Sequence, residues 1–296
     1  MTVSNRRFQF VDTYYLIGKP ISHSLSPLMM NLSFRKTGID AEYRLLETGL
    51  PDLAAHTEQL KASGAAGWNV TMPCKSAMCA LCDELSPAAE ICGAVNTVKN
   101  EGGRLTGHTT DGAGFISALR NRGISLRGKR MVLFGSGGAA GIIMIQSALE
   151  GAEEIRVYCN RPASRIRTEE LAAKLQPHSS CTVTIRSYAE TEIMKRDLLE
   201  SAVLVNATNI GMEGGPDPDG CLLPDSVPLP PDLFVYDIIY HPAVTPLIRR
   251  AMTQGNPCES GLSMLIGQGA ESFRIWTGQE MPLSDVTDAL TDALSV

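Results

Sequence analysis

Short apolar runs rich in β-branched and aromatic residues alternate along the chain with stretches whose apolar residues recur at helical spacing. From Tyr14 onward the order is YYLIG, SPLMMNLSFRKTG, EYRLLET, LPDLAAHTEQLKASG and GWNVTMP. Period-2 or fully apolar runs predict strands and the longer stretches predict helices, so this part reads βαβαβ with a parallel or mostly parallel sheet. AVNTVKN and GRLTGHT follow, and the turn residues Asn100 to Gly103 predict a hairpin between them. DGAGFISALRNRG predicts a helix capped by Asp111 and stopped by Gly123. A second alternation then begins: KRMVLF, a helix over 139–151, EIRVYCN, AVLVNAT and LFVYDIIY, with helices between. Near the end, GLSMLIGQGAESFRIWTG again has helical spacing.

Two alternations in 296 residues predict two α/β domains. The expected division is a substrate-binding domain over 1–112 and a dinucleotide-binding, Rossmann-like domain over 113–261. A helical segment over 262–296 is expected to fold back and complete the first domain. With 44% apolar and 20% charged residues, the composition is that of a globular protein and excludes disordered or fibrous classes. Net charge is −6 with scattered Lys and Arg, which argues against a nucleic-acid or anionic-membrane surface and favours a small-molecule ligand. No apolar run approaches about 20 residues and the N-terminus lacks a signal-type core, so a cytoplasmic location is expected. The eight cysteines are irregularly spaced; Cys79 and Cys82 form a CxxC without a second pair, read as packing, so no metal is expected.

The first chemical signal is GSGGAA, where Gly135, Gly137 and Ala140 fit G-x-G-x-x-G/A between a strand and an apolar helix. Strand, glycine turn, helix and next strand fall within a roughly 30-residue unit, the context that dinucleotide binding requires. The glycines let the backbone approach a pyrophosphate, whose charge then faces the helix N-terminus. The end of the next strand is where an acid would accept from the ribose 2′-OH of NAD. Here stand Asn160 and Arg161, followed by Arg165 and Arg167. Positive charge in place of an acid favours a 2′-phosphate through charge-assisted hydrogen bonds, hence NADP, with NAD as the alternative.

Four segments ahead of this loop are rich in polar groups: SHSLSP, NVTMPCK, AVNT and TTDG. Singly each has a structural reading: Ser24 and Ser26 as helix caps with Pro27 in the first turn, Thr71 and Asn96 as partners for nearby backbone. Together and in this order, with NATNIGM, DIIYHP and GLSMLIGQGAESF, they resemble the shikimate/quinate dehydrogenase family over nearly the whole chain. The resemblance implies NADPH-dependent, reversible reduction of 3-dehydroshikimate to shikimate. It implies that Ser24 and Ser26 hold the substrate carboxylate and that Thr71, Asn96 and Asp111 meet the ring hydroxyls. Tyr240 and Gln268 complete the pocket, and Lys75 is the catalytic group with Asp111 as its partner. For the cofactor it implies Gly135, Ser136, Gly137, Gly138, Ala139, Asn160, Arg161, Arg165, Thr208, Ile238 and Gly261. A homodimer is implied on the same ground. A free lysine titrates near about 10.4, and a neighbouring carboxylate favours its charged form. Both a tuned acid/base and an electrostatic clamp therefore remain open for Lys75.

Three positions depart from the family pattern: Thr109 for Asn before Thr-Asp-Gly, Pro162 for the Thr of the NRT segment, and Ser263 for the second Gly of GLGM. Pro162 removes a donor and a hydroxyl where a 2′-phosphate would sit. At position 263 a side chain is expected to narrow the space by the nicotinamide or alter closure. NVTMPCK, DELSPAAEICGAVNT and WTGQEMPL look closest to the branch that accepts both quinate and shikimate with NAD. The alternatives are thus a quinate/shikimate dehydrogenase using NAD or both cofactors, a paralogue acting on another polyol acid, and a non-catalytic dinucleotide-binding sensor.

Overall fold

The computed structural model describes residues 11–294. These form two compact units. Unit 1 takes the chain to Leu85, Ala94–His108, and the chain from Ser272 onward; unit 2 takes Ser86–Gly93 and Thr109–Glu271. Compared with the division expected from sequence, the helix Pro87–Cys92, the residues Thr109–Gly112 and the first part of the C-terminal helical segment, 262–271, group with unit 2, and only the chain from Ser272 onward joins unit 1.

Unit 1 is built on a six-stranded mixed sheet. Its strands are β1 (Asp12–Gly18), β2 (Ala41–Glu47), β3 (Gly67–Val70), β4 (Glu84–Leu85), β5 (Thr97–Glu101) and β6 (Arg104–His108), in the order β2-β1-β3-β5-β6-β4. β1 pairs in parallel with β2 and β3, and the hairpin β5–β6 joins antiparallel to β3, which brings the start of β5 to the carboxyl end of β3. The helices of this unit include α1 (Ser26–Thr37), α2 (Leu53–Ala62) and α3 (Lys75–Met78). The chain beyond Ser272 packs on the same sheet: Trp276 lies 4.8 Å from Tyr14 and 6.2 Å from Tyr43 between ring centroids, and Phe273 lies 5.5 Å from Phe34. The indole Nε1 donates to Val98 O at 2.9 Å, so a large apolar body and its one polar atom are both accommodated.

Unit 2 holds a six-stranded, wholly parallel sheet: β7 (Arg130–Phe134), β8 (Glu154–Tyr158), β9 (Thr182–Arg186), β10 (Val203–Asn206), β11 (Phe234–Asp237) and β12 (Cys258–Glu259). The order β12-β11-β10-β7-β8-β9 is the 3-2-1-4-5-6 doubly wound arrangement read from its other edge. Its four central strands are apolar and buried along nearly their whole length, as a sheet covered on both faces requires. The helices bearing on the site are α4 (Pro87–Cys92), α5 (Asp111–Asn121), α6 (Gly138–Leu149), α7 (Pro162–Leu175), α8 (Thr191–Leu199) and α9 (Pro246–Gln254). α10 (Leu262–Thr277) follows, and α11 (Leu283–Leu294) closes the described chain in unit 1. Among the described residues no helix is long and apolar enough to cross a membrane, and no cluster of His, Cys, Asp and Glu has metal-binding geometry. Cys79 opens a 3-10 turn and Cys82 ends it in extended conformation; burial pushes both thiols up, Cys82 to about 12, so neither is poised as a thiolate.

Trp276→Ala is expected to lower the unfolding free energy by about 3–5 kcal/mol, because it empties a buried aromatic cluster and removes the indole bond to Val98 O. Urea denaturation followed by the fluorescence of Trp68, the only other tryptophan, measures this. A loss below about 1 kcal/mol would show that the packing around Trp276 contributes little.

Candidate active site

In unit 1 the predicted substrate residues collect at one end of the sheet. Thr71 follows β3 directly and its N–H donates to Ile17 O at 2.8 Å, beside the end of β1. Lys75 is the first residue of α3, half-buried, and its carbonyl accepts from Val95 N at 2.9 Å. Asn96 is 3% exposed. Its N–H donates to His108 O and its carbonyl accepts from Val70 N, so its backbone is locked between β3 and β6. Ser24 and Ser26 flank the start of α1, but neither caps it. Leu25 occupies the N-cap position and no side-chain cap bond is made. Instead Ser24 Oγ accepts from Ser26 N at 3.2 Å and donates to Ser26 Oγ at 3.1 Å. The capping explanation for these serines therefore fails.

Two residues that the sequence reading passed over hold this end together. Asn69 Nδ2 donates to Asn96 O, Thr97 Oγ1 and Ser272 Oγ at 3.0–3.1 Å, and its Oδ1 accepts from Tyr43 OH at 2.7 Å. Burial holds the Tyr43 phenol well above its ordinary value, so it stays a donor; Ser26 is a further hydrogen-bond partner of that phenol. A buried Asn inside the apolar pattern of GWNV was the available signal.

In unit 2 two of the remaining substrate residues, Asp111 and Gln268, lie on adjacent helices, and Tyr240 lies in the loop after β11. Asp111 is not the cap of α5 as expected. Thr110 holds the N-cap position and Asp111 is the first helical residue. α5 and α10 approach backbone to backbone at Gly114, where a Cβ would stand 2.5 Å from Gln268 N and 2.7 Å from Met264 O. Glycine at 114 thus sets Gln268 beside the first turns of α5. Gln268 Nε2 donates to Leu265 O at 3.0 Å. Tyr240 follows β11 and is 42% exposed. Thr109 is buried, and its Oγ1 has no hydrogen-bond partner among the described residues.

The glycine loop sits at the end of β7, next to β10, where the strand order reverses and an open parallel sheet leaves its crevice. Gly135 has φ +108°, and a Cβ there would meet Ala207 O at 2.8 Å and Thr208 Cγ2 at 2.9 Å, so only glycine fits. Gly137 and Gly138 face open space, α6 starts at Gly138 with no side-chain cap, and its first turn holds no acid. Ser136, Gly137, Gly138 and Ala139 thus present unspent helix N–H groups to an anion, which fits a pyrophosphate. Thr208, Ile238 and Gly261 follow β10, β11 and β12 at the same end of the sheet.

After β8, Asn160 is committed to a neighbouring loop, with its Oδ1 accepting from Ser187 Oγ and Tyr188 N at 3.0 Å each. Arg161 is the N-cap of α7 and Pro162 its first helical residue. A missing N–H at that position costs the helix nothing, so Pro162 is a helix starter. The first turn of α7 contains no acid, while Arg161 and Arg165 stand at its positive end and Arg167 follows in the second turn. Basic residues there oppose the dipole by roughly 0.3–1 kcal/mol each, a tension that a bound phosphate relieves. None of the three enters the ion pairs that engage Arg120, Arg122, Arg130, Arg156 and Arg186. The residues present fit a 2′-phosphorylated dinucleotide. Ser263, in contrast to the expectation that it narrows the nicotinamide space, turns its hydroxyl to Tyr236 OH at 2.8 Å.

Known proteins agree with this geometry. Residues 16–98 match the family model for the shikimate dehydrogenase substrate-binding domain, and 261–291 match that for the shikimate 5′-dehydrogenase C-terminal domain. The shikimate dehydrogenase (NADP(+)) of Listeria innocua is 40% identical over 275 residues, 93% of this chain and 94% of that protein. The structure of shikimate 5-dehydrogenase from Listeria monocytogenes in complex with shikimate and NAD superposes with a TM-score of 0.92 at 38% identity, covering 97% of this chain and 99% of that one. The enzyme from Thermus thermophilus, in complex with NADP(H) and shikimate, gives 0.81 at 33% identity over 96% and 100%. Identity at this level over nearly the full length, on the same two-sheet architecture, places the chain in the shikimate dehydrogenase family.

Proposed function

We propose that this protein is an NADP-dependent shikimate dehydrogenase that reversibly reduces the ring ketone of 3-dehydroshikimate to the alcohol of shikimate. The observation that carries this reading is the match to the substrate-binding domain over 16–98, which contains Ser24, Ser26, Thr71, Lys75 and Asn96. Ser24 and Ser26 hold the substrate carboxylate: Ser26 Oγ donates to it, and Ser24 Oγ, which donates to Ser26 Oγ in the free protein, turns its one hydrogen to the carboxylate on binding. Thr71, Asn96 and Asp111 take the ring hydroxyls, with Tyr240 and Gln268 completing the contacts. NADPH, when bound, supplies the hydride that reaches the ketone carbon. Lys75 supplies the proton to the ketone oxygen, or holds the charge that grows there, and Asp111 is its partner in that transfer. In the oxidation direction the same pair takes the proton from the alcohol.

The preference for NADP is supported by the uncompensated basic start of α7. A second reading, in which NAD also serves, is supported by the NAD held in the Listeria monocytogenes structure. The same reading carries a homodimer in the cytoplasm, supported by the family resemblance.

Initial rates measured by the absorbance of reduced nicotinamide, crossing shikimate and quinate against NADP+ and NAD+, test the assignment. Shikimate with NADP+ is expected to be the fastest pair; quinate matching shikimate, or NAD+ exceeding NADP+, would shift the assignment to the alternative. Lys75→Ala is expected to lower kcat by about 10²–10⁴-fold while equilibrium binding of shikimate persists. Unchanged kcat would remove Lys75 from the chemistry. The pair Arg161→Gln and Arg165→Gln is expected to cut the kcat/KM ratio of NADP+ over NAD+ by about 10- to 100-fold, since each loses a charge-assisted bond to the 2′-phosphate. An unchanged ratio would locate cofactor choice elsewhere.

A further inference from the structure

A buried polar knot lies beneath the cofactor loops of unit 2. Asp237, the last residue of β11, is fully buried. Its Oδ1 accepts from Asn206 Nδ2 and Ile239 N, both at 3.1 Å, and its Oδ2 accepts from Asn206 Nδ2 at 3.1 Å and Thr245 Oγ1 at 2.7 Å. Asn206, the last residue of β10, carries the connection on. Its Nδ2 donates to Ile210 O at 3.2 Å, and its Oδ1 accepts from Thr208 N at 3.1 Å and Thr208 Oγ1 at 2.7 Å. Its backbone carbonyl accepts from Ile238 N at 3.0 Å, while Ile239 O accepts from Gly261 N at 3.0 Å. A Cβ on Gly261 would run into the Ile238 carbonyl, so the third loop is closed directly over the second.

The donors to Asp237 are neutral, and burial pushes the carboxyl upward, so the group is held at a cost with no cation among the described residues paired to it. An apolar residue would close the sheet end more cheaply. What an apolar residue would lack is the set of bonds that fixes the turn 206–210 and the start of the segment after β11. These are the backbones that carry Thr208, Ile238 and Gly261, and Ala207 and Thr208 also pack against Gly135 of the glycine loop. We propose that Asp237 is a positioning residue for the dinucleotide: through Asn206 it presets the backbones of Thr208 and Ile238 before the cofactor arrives. The role rests on the reading of unit 2 as an NADP site. Preset loops lose less freedom on binding, and that saving appears as affinity.

Asp237→Asn tests this, because the NH2 group that replaces one carboxylate oxygen donates and cannot accept, so at least one of the three donor groups then faces another donor. Calorimetric NADP+ binding is expected to weaken about tenfold or more, ~1.4 kcal/mol per factor of ten. Shikimate affinity should stay unchanged, and the amides of Thr208, Ile210 and Ile239 should lose hydrogen-exchange protection. Thr245→Ser, which keeps the hydroxyl, should bind NADP+ as the native protein does, whereas Thr245→Val should not. In the native protein without cofactor those three amides should already be protected like β10; exchange as fast as the exposed Asn209 overturns the proposal, whether or not Asp237→Asn folds. Unchanged NADP+ affinity in the folded variant overturns it, as does a parallel loss of NADP+ and shikimate binding, which marks a mere scaffold. Native protein that binds neither NADP+ nor NAD+ removes the underlying reading and the positioning role with it.

Discussion

At the carboxyl end of a parallel strand the ladder of backbone hydrogen bonds runs out, and any N–H or C=O left under the following loop must find another partner. Leaving such a group buried and unpaired costs about 1–3 kcal/mol, more than a typical bond gains. Both units meet this constraint with a buried asparagine. Asn69 in unit 1 supplies donors to Asn96 O, Thr97 and Ser272 and an acceptor to Tyr43; Asn206 in unit 2 supplies donors to Ile210 O and Asp237 and an acceptor to Thr208. A side-chain amide carries both donors and an acceptor on one rigid plane, so it can hold two or three segments at once. The loops that bear Asn96, Thr208 and Ile238 are positioned by these amides more than by apolar packing.

Helix ends do the opposite. The first turns of α6 and α7 leave their N–H groups without side-chain caps, and α7 adds arginines where the dipole wants acids. In unit 2, Asn206 and Asp237 thus find partners for the polar groups under the loops after β10 and β11, while the first N–H groups of α6 and α7 have no side-chain cap. A solvent-facing helix end tolerates this, since water serves, but the combination of a bare helix start, open glycines and adjacent arginines presents an anion with fixed donors. On the proposed reading of unit 2 as an NADP site, charge on the anion, rather than shape alone, accounts for the residue choice at 161 and 165.

The fold was legible where periodicity is strong. The apolar runs of β7, β8, β10 and β11 and the alternation around them identify a doubly wound sheet, because a strand buried on both faces has few other readings. β9 was not legible. TVTIR is an edge strand with every residue only partly buried or exposed, so it lacks the apolar signal of its neighbours. The segment PAAEIC, too short for helical periodicity, was missed as well, though Ser86 caps it and Pro87 starts it. At the site, the glycine loop and the polar segments could be read because their residue types conflict with a purely structural role. Asn69, Asn206 and Asp237 could not, because a polar residue closing an apolar strand looks like a strand end. What distinguishes them is the bonds they make to distant segments, across 26 to 203 residues for Asn69 and across 31 between Asn206 and Asp237.

Departures from the family pattern bear on the same point. Pro162 replaces a hydroxyl residue, yet it occupies the one helical position where a missing N–H is no loss, so the start of α7 and the placement of Arg161 and Arg165 survive it. Ser263 adds a side chain where glycine is usual, but its hydroxyl meets Tyr236 OH, giving a buried phenol, whose ionisation burial suppresses, a polar partner. Each substitution is absorbed by the element that carries it. Thr109 is the exception. It is buried beside Asp111, and its Oγ1 is left without a partner among the described residues, where a longer amide side chain would reach further from the same backbone. Of the three departures, position 109 is the one where the local structure has not compensated, so it is the departure that can alter what the start of α5 offers to a ligand.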